Sequence, residues 1–382
     1  MNKGIRGSIG EKLKKARESL GLTLKEVATE VGFANYQTLI NIEAGKREIK
    51  VWELVKLARV YYRDIDYFLE DGRIVEAPSV SWRKSSSSLK INIYERRFLK
   101  YCENYRQIEE LLGTNTSKKF KPIQCKREDF VTFSFVERLA HNYHDMLGFG
   151  SRPACCIYRI LDESFGVKIL LLSMGKEGSG GSTVGNFGPS ILINADDAPW
   201  RRNFDLAHEF FHIVTWGIFD PKEIFDSPKK GKSKVEVWAD AFAATLLLPQ
   251  EEVLEGFKER IKNGKVSYFD CVESAREFEV SVDAFLWRLA SLRMMKREEV
   301  ERVLNDPALK KLYWQEKSGG WKDTPKFPSR YVNMAFKCMQ TGKVSRGQFA
   351  DYMEIDRQEI PQFLTEYGLD ENADYEIELT AS

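Results

Sequence analysis

Cysteine is rare in this sequence, and long apolar runs are missing. The chain of 382 residues has six cysteines, and no two of them have the C-x-x-C spacing of a metal or redox site. Adjacent residues such as Cys155 and Cys156 do not easily form a disulfide, so reduced thiols in the cytoplasm are expected. No run of about 18 apolar residues occurs, and no apolar stretch follows a basic start at the N-terminus. Neither a membrane span nor an export signal is predicted.

Net charge is also nearly absent, because 58 lysine and arginine residues face 57 acidic ones and leave +1. The overall balance therefore identifies no partner. The length predicts two or three domains, and a hydrophobic content of 43% is sufficient for sizeable cores. Histidine is scarcer still, with four copies. His141 and His144 lie three apart in a predicted helix without a third ligand nearby in the sequence, so no metal site is predicted there.

The other two histidines form an H-E-x-x-H motif, His208 to His212, in a segment that is predicted to be helical from Phe204 to Trp216. Histidines four residues apart lie on one face of a helix, so both imidazoles can bind one metal ion. Glu209 lies about 100° around the helix, beside such an ion, where it can take a proton from a bound water. The flanking residues are apolar and predict a buried helix.

A third protein ligand is expected in the Ala-rich segment Val235–Pro249, which also has the pattern of a buried helix. Glu236 and Asp240 are four residues apart there and share one helix face. Glu236 is predicted to bind the metal, and Asp240 is predicted to accept the second ring N–H of a ligand histidine. Three acids in the preceding loop are alternative third ligands: Asp220, Glu223 and Asp226.

Together these segments resemble the ImmA/IrrE metallopeptidases over residues 130 to 290. The matching pieces are Ser190–Asn194, Arg201–Ala207 leading into the motif, and Glu236 through Asp240 to Pro249. The resemblance implies a gluzincin-type site for Zn²⁺, with Glu209 as base and with His208, His212 and Glu236 as ligands. The same ligand set accepts Mn²⁺. The resemblance also implies a protein substrate, either a transcriptional repressor or an antitoxin. Phe210 and Phe211 depart from the smaller residues common in the family, although the motif is intact.

The N-terminal part, Ile9 to Leu69, contains several short amphipathic helical segments. In Leu22–Phe33, Thr23 and Glu26 have the spacing of a capping box, and Gly32 suits a tight turn. A second predicted helix, Asn35–Glu43, turns Leu39 and Ile42 inward. Its outward polar side chains suit base edges in a DNA major groove. These are Asn35, Tyr36, Gln37, Thr38 and Asn41.

Lys46 and Arg47 follow the second helix and suit contacts with DNA phosphates. The pattern resembles the XRE/Cro helix-turn-helix family, with a loop one residue longer than usual between the two helices. Residues 1–70 hold 13 basic and 10 acidic residues, a mild excess of +3 that predicts modest non-specific affinity for DNA. A homodimer on a two-fold operator in double-stranded DNA is the expected way to raise that affinity. A small helical bundle for protein contact is the alternative.

The predicted fold class is mainly α with a small sheet (α+β). We expect a helix-turn-helix domain at 1–70, a linker and connecting helix at 71–128, a zincin-like metallopeptidase domain at 129–295 and a C-terminal helical domain at 296–382. The connecting helix is predicted at Leu89–Leu112.

Two strands are predicted in the central domain, Val167–Leu172 and Ser190–Asn194. The Gly/Ser-rich segment 175–188 between them is predicted to be a mobile loop beside the active cleft. Residues 186–194 are the candidate edge strand for an extended substrate. Residues 343–360 have a spacing like a second helix-turn-helix, with Asp356 as an N-cap and Pro361 inside the second helix. Protein contact is favoured for that unit.

These features predict a cytoplasmic DNA-binding regulator with zinc-dependent endopeptidase activity toward a partner repressor or antitoxin. In the main alternative, the chain is a repressor or antitoxin whose peptidase fold is a non-catalytic sensor or scaffold. A third hypothesis is self-cleavage in the linker at 70–90, which would release the DNA-binding domain.

Overall fold

The computed structural model describes residues 9–63, 65–69, 80–82, 89–114, 122–219, 232–317 and 325–373. It is mainly helical with one small sheet, which confirms the predicted α+β class. The N-terminal helices are α1 (Ile9–Ser19), α2 (Leu24–Val31), α3 (Tyr36–Glu43), α4 (Val51–Val60) and α5 (Ile65–Leu69). The central helices are α6 (Leu89–Leu112), α7 (Phe133–Leu147), α8 (Ile157–Arg159), α9 (Pro199–Val214), α10 (Lys234–Leu247), α11 (Gln250–Lys258), α12 (Tyr268–Glu277) and α13 (Val282–Ser291). The C-terminal helices are α14 (Arg297–Asn305), α15 (Pro307–Lys317), α16 (Ser329–Gln340), α17 (Arg346–Met353) and α18 (Ile360–Glu366).

The sheet consists of β1 (Ser81–Trp82), β2 (Lys168–Leu172), β3 (Gly180–Gly185) and β4 (Gly188–Asn194), in the order β1-β3-β4-β2. The central strand β4 is parallel to β2 and antiparallel to β3. The short strand β1 pairs antiparallel with the outer edge of β3. Both β2 and β4 are buried along their whole length, as expected for strands that have helices on both faces.

The two faces of the sheet pack against different helices, because neighbouring side chains of a strand point to opposite faces. Ile191 and Ile193 of β4 belong to an apolar cluster that also contains residues of α7, α9 and α10. Leu192 belongs to a second cluster, with residues of α6 and α16 to α18. The first face carries the candidate metal site described below.

The C-terminal helices extend these two clusters. Val300 and Val303 of α14 join the first cluster, and Tyr331 of α16 and Phe349 of α17 join the second. The domain boundary predicted at residue 296 therefore falls within one apolar cluster. The connecting helix predicted at Leu89–Leu112 is confirmed as α6. The helix packs against the sheet. The prediction of a linker at 71–128 does not include this contact.

The N-terminal helices α1 to α5 enclose a core of their own, centred on the fully buried side chains of Leu13, Val27 and Leu39. Arg59 of α4 forms an ion pair with Asp351 of α17, and so joins this unit to the C-terminal helices. A cleft of about 830 Å³ lies between this unit, α6 and the C-terminal helices. Among the described residues, no helix is both long enough and apolar enough to cross a membrane.

Three predictions from the sequence are wrong in this fold. The segment 175–188, predicted as a mobile loop, contains β3, which has hydrogen-bonded neighbours on both edges. The segment 186–194, predicted as an edge strand, contains the central strand β4. The helix predicted to have Asp356 as its N-cap begins instead at Ile360. Pro361 then lies in the first turn, where its missing N–H leaves no helical hydrogen bond unmade.

Candidate metal site and nucleic-acid interface

The H-E-x-x-H motif lies in the middle of α9, a helix that begins with Pro199 in its first turn. From Asp205 to Val214 every residue of this helix is buried. His208 is fully buried, Glu209 is 1% exposed and His212 is 4% exposed. Polar groups at this depth need partners, since an unpaired buried polar group is strongly destabilising. The partners come from α10 and β3.

The Glu236 carboxylate of α10 lies against both imidazoles of the motif. Its Oε2 is 3.3 Å from Nε2 of His208, and its Oε1 is 3.1 Å from Nε2 of His212. The two Nε2 atoms are 3.3 Å apart. Ser233 is the N-cap of α10 and accepts a hydrogen bond from the Glu236 backbone N–H, which fixes the first turn of the helix. Burial alone would raise the pKa of the Glu236 carboxyl, but the two histidines, when protonated at Nε2, keep it well below its usual range.

These distances fit a metal ion. Two ligand atoms at about 2.0–2.1 Å from a tetrahedral zinc ion are separated by about 3.3 Å, which matches the distance between the two Nε2 atoms. Each oxygen of Glu236 lies at a similar distance from one of the two histidines. The ligand atoms of His208, His212 and Glu236 lie within 4.8 Å of one another, and all three residues are buried. Three electron-rich groups aimed at one buried point favour a cation between them. The three residues can therefore hold the ion that the motif implies.

Asp240, one turn after Glu236, lies 3.0 Å from Nδ1 of His208 through its Oδ1. This contact suits the tautomer in which Nδ1–H donates to the carboxylate and Nε2 is left with its lone pair. The second carboxylate oxygen pairs with Lys232, which precedes α10. Burial would raise the pKa of Asp240, but the hydrogen bond from His208 and the charge of Lys232 lower it to about 2.

The Glu209 side chain leaves the helix toward β3. Its Oε2 accepts a hydrogen bond of 2.8 Å from the Ser182 hydroxyl, and both groups are buried. The strand approaches closely here because Gly180 has no side chain. A Cβ on Gly180 would lie 2.9 Å from the Leu192 carbonyl oxygen and 3.4 Å from Cγ of Glu209. Glu209 is thus beside the ligands, and its orientation is set by a hydroxyl of the neighbouring strand.

Phe210 and Phe211 are fully buried behind the motif. The ring of Phe211 makes an edge contact with Phe130 at 6.1 Å and a tilted contact with Phe242 at 5.5 Å. Phe210 packs edge-on against Tyr143 at 5.3 Å. The larger residues that depart from the family pattern therefore fill an aromatic core on the side of α9 away from β3.

Sequence reasoning missed Ser182 and Lys232. Ser182 lies in a Gly/Ser-rich stretch whose composition favours a loop, and Lys232 lies in a polar segment without a motif. The alternative ligands Asp220, Glu223 and Asp226 lie outside the described residues. His141 and His144 have no part in the site, and Nε2 of His144 lies 2.8 Å from the carbonyl oxygen of Gly150.

The N-terminal helices have the local structure expected of a helix-turn-helix. Thr23 and Glu26 form a reciprocal capping box at α2, and Gly32 ends that helix in the left-handed region. Asn35 is the N-cap of α3, and its side chain accepts a hydrogen bond of 3.2 Å from the Thr38 backbone N–H. The side-chain oxygen of Asn35 therefore already accepts a hydrogen bond within the helix start, and its NH₂ group is the part that can donate to a base.

The side chains proposed to contact bases lie on α3 and at its start. Tyr36 is 51% exposed, and Gln37 is also exposed, whereas Thr38 and Asn41 are half-buried. The opposite face of α3 is fixed by Leu39 and by Glu43, whose carboxylate receives two hydrogen bonds from Arg17, at 2.7 and 2.9 Å. The helix is thus held rigidly with a polar surface toward solvent.

Lys46 and Arg47 differ in their surroundings. Lys46 is exposed. Arg47 donates two hydrogen bonds of 2.9 Å to the carboxylate of Glu53, which is buried beneath it. Arg47 therefore has a structural partner that the sequence does not predict, and Lys46 is the better placed of the two to contact a phosphate.

Two protein families match separate parts of this chain. Residues 13–68 match the helix-turn-helix family, and residues 162–290 match the family described as the IrrE N-terminal-like domain, a peptidase M78 family. This chain joins a helix-turn-helix domain to an IrrE N-terminal-like domain. A search of curated proteins found no match. The IrrE-like match includes Ser182, the whole motif, Glu236 and Asp240, so every residue of the candidate metal site lies within it.

Proposed function

We propose that this protein is a DNA-binding regulator with a metal-dependent endopeptidase site. The observation that carries the proposal is the convergence of His208, His212 and Glu236 on one buried point, with Glu209 beside them. Zn²⁺ is the proposed ion, and Mn²⁺ suits the same ligands. The proposed substrate is another protein, a transcriptional repressor or an antitoxin, because a single regulatory cut suits a chain with its own DNA-binding domain.

Each residue has a defined role in the proposed reaction. When bound, the ion would polarise the scissile carbonyl and lower the pKa of the attacking water. Glu209 accepts a proton from that water and passes it to the leaving amine nitrogen. The Ser182 hydroxyl positions the carboxylate of Glu209 for both transfers. Asp240 keeps His208 in the tautomer whose Nε2 can bind a metal.

The proposed DNA contacts use α3 in the major groove. Tyr36, Gln37, Thr38 and Asn41 face the bases, and Asn35 contributes at the N-terminal end of the helix. Lys46 contacts a phosphate, and Arg47 does so only through the donors that Glu53 leaves open. Binding as a homodimer to a two-fold operator would compensate for the small excess of positive charge.

A pair of matched variants tests the catalytic part. Glu209→Gln keeps the size and the hydrogen bond from Ser182 but cannot accept a proton. Glu252→Gln, in the partly exposed first turn of α11, is the control. Cells that carry each variant are compared with wild type by quantitative proteomics, and the purified proteins are analysed for bound metal. We expect Glu209→Gln to bind metal normally and to stabilise one or more proteins that wild type and Glu252→Gln cut.

The same experiment separates the alternative function. If cells with Glu209→Gln have the proteome and the promoter response of wild type while the metal is bound, the domain is a sensor or scaffold and the proposal of catalysis is wrong.

A further inference from the structure

One strand of the sheet contacts both Glu209 and a segment between the DNA-binding helices and α6. That strand is β3, whose inner edge pairs with β4 and whose outer edge pairs with β1. In β1, Ser81 is the partner of Ser182 and Trp82 is the partner of Gly181. The residue opposite Ser81 is thus the one whose hydroxyl donates to the proposed base.

This register places the backbone of β1 close to the proposed catalytic carboxylate. Partners in an antiparallel pair have Cα atoms about 4.5–5.5 Å apart, so Ser81 lies one strand spacing from Ser182. Extended peptides commonly bind proteins by adding a strand to a sheet edge, and β1 occupies such an edge. Its antiparallel pairing with β3 is backbone pairing of the kind that an added peptide strand makes.

The segment is held in this position from one end. Val80 is 8% exposed and belongs to the apolar cluster that contains Phe98 and Leu99 of α6. The pairing with β3 involves two residues of β1, a short ladder that an exchange of hydrogen bonds with water can open. The segment is therefore anchored beside the site without being locked by a long strand.

We propose that residues 80–82 are an intramolecular substrate of the metal site, cut at one of the two peptide bonds of Ser81. The inference rests on the proposed function and extends it to this chain as its own substrate. Water adds to the carbonyl carbon, the C–N bond breaks, and Glu209 carries the proton from water to the leaving amine. Cleavage separates residues 1–80 or 1–81, with the helix-turn-helix, from the rest of the chain.

The test uses the full-length protein, purified with a chelator and then given Zn²⁺, with intact mass measured over time. We expect two fragments whose masses place the cut at the amino or carboxyl side of Ser81. Cleavage within one chain is first order, so the half-life of the intact chain should not change with protein concentration. In a mixture with wild type, a mass-labelled Glu209→Gln chain should remain whole.

Two substitutions at one position test the strand pairing. Ser81→Pro removes the backbone N–H and should slow cleavage by roughly tenfold or more, because proline disrupts strand pairing at that residue. Ser81→Ala keeps the N–H and should be cut at the wild-type rate. Both should bind zinc with the stoichiometry of wild type, since neither residue is a ligand.

Several results would overturn the inference. Cutting of the labelled Glu209→Gln chain by wild type would show that the segment is reached from another molecule. Equal rates for Ser81→Pro and Ser81→Ala would remove the role of strand pairing. If wild type binds zinc and cuts cellular proteins in the proteomic comparison but its own mass is unchanged, the inference fails and the proposed function stands. If Glu209→Gln changes neither the cellular proteome nor the mass of its own chain relative to wild type, the inference and the proposed catalysis both fail.

Discussion

The two parts of this chain hold their candidate functional residues in different ways. At the candidate metal site, His208 is fully buried and contacts two side chains from α10, Glu236 and Asp240. On the helix-turn-helix, Tyr36 and Gln37 are exposed, and the helix that carries them is fixed by a cap and by its buried face. The candidate metal site is therefore defined by contacts between residues distant in sequence. The helix-turn-helix surface is defined by local structure, and its exposed side chains are open to contact with DNA.

Glu209→Gln is expected to have the largest effect, the loss of catalysis. Removal of a general base typically lowers the rate by about 10²–10⁴-fold, while the three ligands are unchanged. The measurement is the turnover of whichever substrate the proteomic comparison identifies, with Glu252→Gln as control. A Glu209→Gln rate within about twofold of wild type would show that Glu209 is not the base.

A smaller effect is expected for Asp240→Asn, which keeps the shape of the residue but weakens the acceptor for His208. Loss of such a partner typically lowers metal affinity by about 10–100-fold. Competition with a chromophoric zinc chelator measures the affinity, and Asp283→Asn on α13 is a control away from the site. Unchanged zinc affinity would mean that Asp240 does not support the ligand.

Some features of the candidate site and of the helix-turn-helix can be predicted from the sequence, and others cannot. The i, i+4 spacing of the motif and of Glu236 and Asp240 is local, so the helix faces could be predicted without knowledge of the fold. The caps at Thr23 and Gly32 are local in the same sense. Ser182 could not be found in this way, because its contact with Glu209 spans 27 residues and depends on strand pairing.

The composition of β3 also prevents its prediction as a strand. Three of its six residues are glycine, which favours loops in isolation, yet its neighbours β4 and β1 supply the hydrogen bonds that make it a strand. The same applies to α6. Its helical period is evident in the sequence, but nothing local indicates that it covers the sheet.

On the DNA-binding side, Gln37→Ala should lower affinity for the specific operator by about 1–3 kcal/mol if Gln37 contacts a base. Binding to unrelated DNA should be unaffected, because that binding comes from phosphate contacts. Selection of operators from random DNA, followed by binding titrations at fixed salt, measures both. Equal losses on specific and unrelated DNA would place Gln37 outside the base contacts.

Lys46→Ala and Arg47→Ala compare an exposed charge with a charge that is paired to a buried carboxylate. Lys46→Ala removes one proposed phosphate contact. It should therefore reduce the slope of log affinity against log salt concentration by about one and leave the stability of the fold unchanged. Arg47→Ala should lower the midpoint of thermal unfolding, because Glu53 is buried beneath it. If both variants lose only DNA affinity, the pair of Arg47 with Glu53 has no structural role.

The same pair predicts the smallest effect, a pH dependence. Burial would raise the pKa of Glu53, but the hydrogen bonds from Arg47 and the Lys50 backbone lower it. Its stabilising contribution is therefore complete above about 4.3, the ordinary glutamate value, and is lost as the pH falls through the lower folded value. Thermal unfolding between pH 3 and pH 6 should show a weaker pH dependence in Arg47→Ala than in wild type.

Metal analysis of purified protein, with X-ray absorption spectroscopy at the metal edge, tests the proposed metal site. The account predicts one ion per chain with two imidazole nitrogens and oxygen ligands, lost in His212→Ala and in Glu236→Ala but retained in His141→Ala. A protein without a bound divalent ion, or an ion whose two-imidazole signature survives His212→Ala, would contradict it.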